Sequence, residues 1–242
     1  MPEKQECVLL LPAAGQGLRM GGDIKKPYLL LAGKPVIVHT LEACLDAAIF
    51  SRLLVLVPPG EESLFHKEIC EPYFDGCESV NIVPGGTSRQ DSVFQGLKAI
   101  HGAVGNETIV CVHDAVRPLV SSSLLKRVVA EAKHFGAAIA AVPLTDTIKQ
   151  VDKHNTVVAT PLRETLVAVQ TPQCFKFSLL WDAHSRATVQ ASDDAALVEE
   201  MGGVVRIIPG NYENIKLTTP HDLKVAELYL TERLTERSKE GS

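Results

Sequence analysis

Residues 9–29 read LLLPAAGQGLRMGGDIKKPYL, and the rest of the chain is organised around them. An apolar strand over residues 7–11 passes through Pro12 into a loop that holds Gly15, Gly17, Gly21 and Gly22, with Arg19, Lys25 and Lys26 among and after them. Glycines let backbone N–H groups approach anionic oxygens closely, and fixed cations neutralise their charge, so the loop suits a phosphate chain. The competing reading is a glycine-rich surface turn with solvated basic residues. Two familiar phosphate loops do not fit. A dinucleotide fingerprint needs Gly or Ala three residues after Gly17, where Met20 stands. A P-loop needs Ser or Thr after Gly-Lys, and Gly33-Lys34 is followed by Pro35.

Outward from the loop, apolar spacing predicts a helix over 35–48, a strand over 53–57 ended by Pro58-Pro59-Gly60, and a helix over 61–70. A strand over 80–83, a helix over 88–100, a strand over 109–112, a helix over 121–135 and a strand over 137–142 follow. This alternation implies an α/β fold: a Rossmann-like, mostly parallel sheet joined by right-handed crossovers, with helices on both faces. In such sheets ligands bind at the carboxyl ends of the strands, where each candidate cluster falls.

After Thr145 the alternation stops. Residues 147–151 and 156–160 flank the polar turn 152–155, which predicts a hairpin-like extended β-arm inserted at about 145–172. A strand over 167–171, helices over 177–189 and 193–201 (the latter with Ser192 as cap), a strand over 204–208 and a closing helix over 220–234 complete the chain. The tail 235–242 reads as frayed. With no repeat or linker in view, residues 1–242 read as one domain.

Twenty-four basic against 29 acidic residues give a net charge of -5, which argues against general nucleic-acid binding but permits a local basic site. No apolar run approaches the roughly 20 residues that span a bilayer, so no membrane partner is expected. Six cysteines (Cys7, Cys44, Cys70, Cys77, Cys111, Cys174) are scattered without a Cys-x-x-Cys pair, and read as buried thiols in a cytoplasmic protein.

Three later clusters carry possible chemistry. Gly85-Gly86-x-x-Arg89-x-Asp91-Ser92 follows a strand and opens a helix, either to hold part of a nucleotide or as a plain turn capped by Ser88. His113-Asp114-Ala115-Val116-Arg117-Pro118 follows the strand 109–112. A carboxylate there can coordinate Mg²⁺ or pair structurally with Arg117; His113 reads as a packed residue. Thr147, Arg163 and Thr171 could grip a phosphomonoester, or be polar residues on an exposed arm. Before the closing helix, Thr219 can cap with Pro220 at its first position.

Pro12-Ala13-Ala14-Gly15-x-Gly17-x-Arg19-Met20, with a lysine six residues on, resembles the opening signature of nucleotidyltransferases that activate sugar and polyol phosphates, and in particular the methylerythritol phosphate cytidylyltransferase family. The Gly-Gly-x-x-Arg-x-Asp-Ser and His-Asp-Ala-x-Arg-Pro elements match it in order. The resemblance implies cytidylyl transfer from CTP to 2-C-methyl-D-erythritol 4-phosphate, with another polyol phosphate such as ribitol 5-phosphate as the alternative acceptor. It implies that Pro12, Ala13, Ala14, Gly15, Gly17, Gly86, Ser92, Asp114 and Ala115 bind nucleotide, and that Arg19, Lys26 and Lys216 stabilise the transferring phosphate. Asp114 holds Mg²⁺ in this scheme, and Arg117, Thr147, Arg163 and Thr171 bind the acceptor, the arm crossing to a second subunit in a homodimer. The family order around the lysine is Pro-Lys, whereas this chain has Lys25-Lys26-Pro27. Spacing selects Lys26, with Lys25 the alternative. Glu213 stands where some members carry a metal-site Asp. A regulatory nucleotide-binding protein without the chemistry, and a dehydrogenase weakened by Met20, are the readings from other classes.

Overall fold

The computed structural model describes residues 6–14, 26–75 and 80–240; the expectations placed on Gly15, Gly17, Arg19 and Lys25 lie outside them. In chain order its elements are β1 (Cys7–Pro12), β2 (Leu30–Leu31), β3 (Lys34–Pro35), α1 (Val36–Asp46) and β4 (Arg52–Val57), then α2 (Glu62–Phe65), which runs through a π-helical turn, His66–Cys70, into α3 (Glu71–Tyr73). There follow β5 (Asn81–Pro84), α4 (Arg89–Ile100), β6 (Ile109–Val112), α5 (Ser122–Phe135) and β7 (Ala137–Pro143). The remainder comprises β8 (Gln150–Val151), β9 (Val157–Ala159), β10 (Val167–Lys176), α6 (Phe177–Arg186), α7 (Asp194–Glu200), β11 (Arg206–Pro209) and α8 (Pro220–Glu240).

A seven-stranded sheet in the order β11-β7-β10-β6-β1-β4-β5 forms the centre. The continuous apolar runs of β1, β4 and β6 occupy its interior because they are covered on both faces: Val8, Leu9, Leu10 and Leu11 are all fully buried. Alternate residues serve opposite layers. Leu9 and Leu11 pack with α1 and α5 through Ile37, Leu41 and Leu125. Val8 and Leu10 pack with α4, α6 and α7 through Val93, Leu97, Leu180 and Val198.

β1 pairs in parallel with β4 and β6, β4 with β5, and β11 with β7. β10 is antiparallel to both β6 and β7, with its register shifted between Val169 and Gln173. The strand expected over 167–171 therefore runs on to Lys176, and Thr171 belongs to the central sheet. The arm itself is the two-stranded ladder of β8 and β9.

Other differences have local causes. Asp193, not Ser192, caps α7, its carboxylate accepting from the Ala196 N–H at 3.0 Å. The closing helix continues to Glu240 instead of fraying, because residues 231–240 are mostly strong helix formers. Cys7, Cys44, Cys111 and Cys174 are buried thiols as expected, but Cys70 is disulfide-bonded, a pairing that no Cys-x-x-Cys spacing marks. Among the described residues, no helix is long and apolar enough to cross a membrane.

Gly96 sets the distance between α4 and the sheet. A Cβ there would lie 3.0–3.1 Å from the methyls of Leu56 and Leu10, so only the bare backbone lets the helix settle on them. Gly96→Val should lower stability by about 1–3 kcal/mol through overpacking, read as a lower urea midpoint at unchanged m-value.

Candidate active site

The carboxyl ends of β1, β4 and β6 share one edge and are stitched together there. Ala13 N–H donates to Leu56 O at 2.9 Å, Gly85 N–H to Val57 O at 2.7 Å, and His113 N–H to Leu10 O at 3.0 Å. Pro12, Ala13 and Ala14 thus lie where a ligand at the strand ends would meet them. The Gly85-Gly86 turn adjoins them, and a Cβ on Gly86 would overlap the Asp91 side chain. Buried Ser92 locks this turn: its hydroxyl accepts from Gly86 N–H at 3.0 Å and donates to Ser88 O at 2.8 Å. Ser88 caps α4 as expected, accepting from Asp91 N–H.

Asp114 follows β6 with its carboxylate only 8% exposed. Three cations surround it: Arg89 Nε at 3.0 Å from Oδ1, and Lys216 Nζ at 2.8 Å and Arg117 Nε at 3.7 Å from Oδ2. Burial opposes its charge, but Arg89, Lys216 and Arg117 together hold its pKa far below the usual carboxylate range. Arg89, half-buried between Asp114 and Asp194, is correspondingly held in its charged form, the two carboxylates outweighing the desolvation. These groups line a cleft of about 340 Å³ with Thr171, Ser192 and Asp193.

The cleft floor is a hydrogen-bonded chain. Asp114 N–H donates to Thr171 Oγ1 at 3.1 Å, and that hydroxyl is 3.0 Å from His113 Nδ1. His113 Nε2 is 3.3 Å from Arg117 O. The Arg117 carbonyl can only accept, so neutral His113 carries its proton on Nε2, and its bare Nδ1 accepts from the Thr171 hydroxyl. Arg117 Nη1 donates to Asn214 O at 2.7 Å, and Asn214 Nδ2 donates to Thr171 O at 2.8 Å. Ala115 is fixed by the buried Thr40 hydroxyl, which donates to its carbonyl at 2.9 Å.

Lys216 reaches Asp114 because the segment before α8 docks on the Asp114–Arg117 turn, with Leu217 N–H donating to Val116 O. Lys26 joins the same segment, Nζ donating to Thr218 O at 3.2 Å. The structure therefore brings Asp114, Arg117, Thr171 and Lys216 together in one cleft, with Ala115 next to Asp114, Gly86 and Ser92 in the turn before α4, and Lys26 bonded to the segment that carries Lys216. It does not bring in Thr147 or Arg163: both are exposed on the arm, where Arg163 Nη1 donates to Thr145 O at 2.8 Å. Glu213 is taken by Arg233, with contacts of 2.7 and 3.1 Å. Sequence reasoning named Arg89 only within a motif and missed Asp194 and Asn214. Their one signal was polarity in otherwise apolar or turn-forming surroundings.

Among the described residues no three His, Cys, Asp or Glu side chains gather as a metal cage. The Asp114 carboxylate, lining the cleft and held in its ionised form, still fits Mg²⁺, an ion that commonly takes one or two protein carboxylates and completes its shell with substrate phosphate and water.

Topology and charge place the chain among Rossmann-like α/β proteins that handle anionic ligands at strand ends. Its sequence narrows this. The model of the 2-C-methyl-D-erythritol 4-phosphate cytidylyltransferase family matches residues 7–232, and the chain belongs to that family. It is 42% identical to the cytidylyltransferase of that name from Desulforamulus reducens over 229 residues, covering 93% of this chain and 96% of the relative. The Pelotomaculum thermopropionicum enzyme is 44% identical over 228 residues, covering 93% and 94%. Among solved structures, the Anaerococcus prevotii 4-diphosphocytidyl-2C-methyl-D-erythritol synthase superposes with a TM-score of 0.80 at 29% identity, covering 95% of this chain and all of that one. The Thermus thermophilus cytidylyltransferase gives 0.74 at 33% identity, covering 93% and 98%.

Burial lowers the His113 pKa from 6.5 to about 4. The unfolded chain therefore binds this proton first, so the stability contributed by neutral His113 is complete above about pH 6.5 and is lost as pH falls toward 4. The loss should be on the order of 3 kcal/mol. Urea denaturation at pH 7 and pH 4.5 should show a smaller decline for His113→Asn, which keeps an acceptor toward Thr171 without a titrating ring.

Proposed function

We propose that the chain transfers a cytidylyl group from CTP to 2-C-methyl-D-erythritol 4-phosphate. The reaction releases pyrophosphate and forms 4-diphosphocytidyl-2-C-methyl-D-erythritol for non-mevalonate isoprenoid precursor synthesis in the cytoplasm. The observation that carries this reading is the family match across residues 7–232, coincident with a buried carboxylate fenced by three cations at the carboxyl edge of the sheet.

The acceptor phosphate attacks the α-phosphorus in line, and pyrophosphate departs opposite. A phosphate monoester near pH 7 is already an anion, with a second pKa of about 6, so no general base is required. The protein contributes positioning and electrostatic stabilisation. The Pro12-Ala13-Ala14-Gly15-x-Gly17 loop, Gly86, Ser92 and Ala115 hold the nucleotide, while Arg19, Lys26 and Lys216 face the charge that builds during transfer. Asp114 would hold Mg²⁺ against the triphosphate, and the bound ion would neutralise part of its charge.

Arg117 and Thr171 orient the acceptor, joined by Thr147 and Arg163 from the arm of a second subunit. Supporting that arm exchange, Val158 and Leu162 are 56% and 71% exposed on it. The fold over residues 1–242 acts as one nucleotidyltransferase domain carrying this arm.

Pyrophosphate release should be seen with CTP, Mg²⁺ and methylerythritol 4-phosphate, and not with ribitol 5-phosphate or without acceptor. Release with ribitol 5-phosphate alone would replace the substrate. Lys216→Met and Arg19→Ala should each lower kcat by about 10²–10³ with the circular dichroism unchanged; a near-normal rate removes that residue from the mechanism.

A further inference from the structure

A chain of buried charge leads away from the cleft. Arg89 Nε holds Asp114 Oδ1 at 3.0 Å, and its Nη1 holds Asp194 Oδ2 at 2.8 Å. Asp194 Oδ1 in turn lies 3.0 Å from His184 Nε2, and both side chains are 1% exposed. The His184 ring stacks on Phe94, with centroids 5.9 Å apart and planes at 18°, so α4 supplies both the arginine at one end of the chain and the wall that orients the imidazole at the other.

Helix capping does not explain Asp194. The neighbouring Asp193 caps α7, leaving Asp194 turned inward with its oxygens on His184 and Arg89. A buried ionic chain is a poor device for stability alone, since apolar residues of similar volume do as well or better. What it does supply is a fixed guanidinium. The three cations on Asp114 differ in this respect: Arg89 has Asp194 as a second anchor and Arg117 has Asn214 O. Lys216 is 40% exposed, and its contact with Asp114 is the one seen among the described residues.

We infer that Asp194, oriented by His184, is a positioning residue that pins Arg89 on Asp114, so that Lys216 can leave the carboxylate for the substrate phosphate while Asp114 keeps its place. The inference rests on the cytidylyltransferase reading for its kinetic consequence, and on geometry alone for the pinning of Arg89.

The test is a double-mutant cycle of Asp194→Asn, Arg89→Gln and the pair, with turnover measured by pyrophosphate release and the fold checked by thermal denaturation. Asp194→Asn should lower kcat by about 10–100-fold with KM for CTP within about threefold, since displacement of a positioned group costs rate more than binding. The pair should be no slower than Arg89→Gln. Losses that multiply overturn the inference, as does an unchanged kcat in Asp194→Asn. Should that variant not fold, His184→Phe keeps the ring stack but removes the Nε2 contact, and its smaller loss should likewise vanish in the Arg89→Gln background; a multiplying loss again overturns it. A crystal structure of whichever variant folds should show Arg89 Nε moved off Asp114, and an undisturbed contact refutes the pinning. Failure of the unaltered protein to turn over would count against the proposed activity, while the crystal structure still decides the role of Asp194.

Discussion

A carboxylate at the end of an interior strand can stay ionised only where cations reach it, and Asp114 shows what that demands of the chain. Desolvating an ion costs several kcal/mol, while one opposite charge at about 4 Å returns roughly 4 kcal/mol at an effective dielectric near 20. More than one cation is thus needed, and they come from separate stretches: Arg89 from the first turn of α4, Arg117 from the turn after β6, and Lys216 from the segment before α8. Satisfying one charge ties three crossings of the chain to one sheet edge. The Gly85-Gly86 turn and the docking of residues 214–218 on Val116 are the backbone arrangements that let those cations arrive.

β10 solves a second problem of access. A parallel strand would place its side chains at this edge only at its end, but an antiparallel one enters the sheet there. The register shift between Val169 and Gln173 then turns Thr171 toward the Asp114 amide. The same strand begins beside Pro143, where the arm leaves the sheet, so the arm and the cleft are linked by one short run of backbone. The β8–β9 ladder has two and three residues a side, too short to be stable by itself in water, and its exposed valines favour coverage by another surface, as the proposed dimer provides.

Where the sequence was readable, a short-range rule governed the residues. Continuous apolar runs marked β1, β4 and β6 because both faces of each strand are covered, and Ser88 and Thr219 could be read as caps from the residues that follow them. The cluster from His113 to Arg117 was legible because its members are neighbours. The Arg89–Asp194–His184 chain was not, since its first pairing spans about a hundred residues and no periodicity connects them. Asp193 and Asp194 are identical in type and adjacent in sequence, and only the backbone at the start of α7 decides which caps and which is buried. Thr147 and Arg163 remain apart from the cleft of their own chain, on the exposed arm.

The arrangement around Asp114 also bears on how an anionic substrate gains entry. Cations already ordered by a protein carboxylate need not be reorganised at the moment of transfer, but they are shared with that carboxylate and are given up only at a cost. Lys216, exposed and held at one point, can make this exchange by rotation of a flexible side chain. Arg89 and Arg117, each held at two points, cannot do so without breaking a second contact. Asp114 therefore retains two positive neighbours when the lysine departs, and its charge stays compensated. A site with three equally mobile cations would bind phosphate as well, but would leave its own carboxylate buried and unpaired at the step where its position matters most.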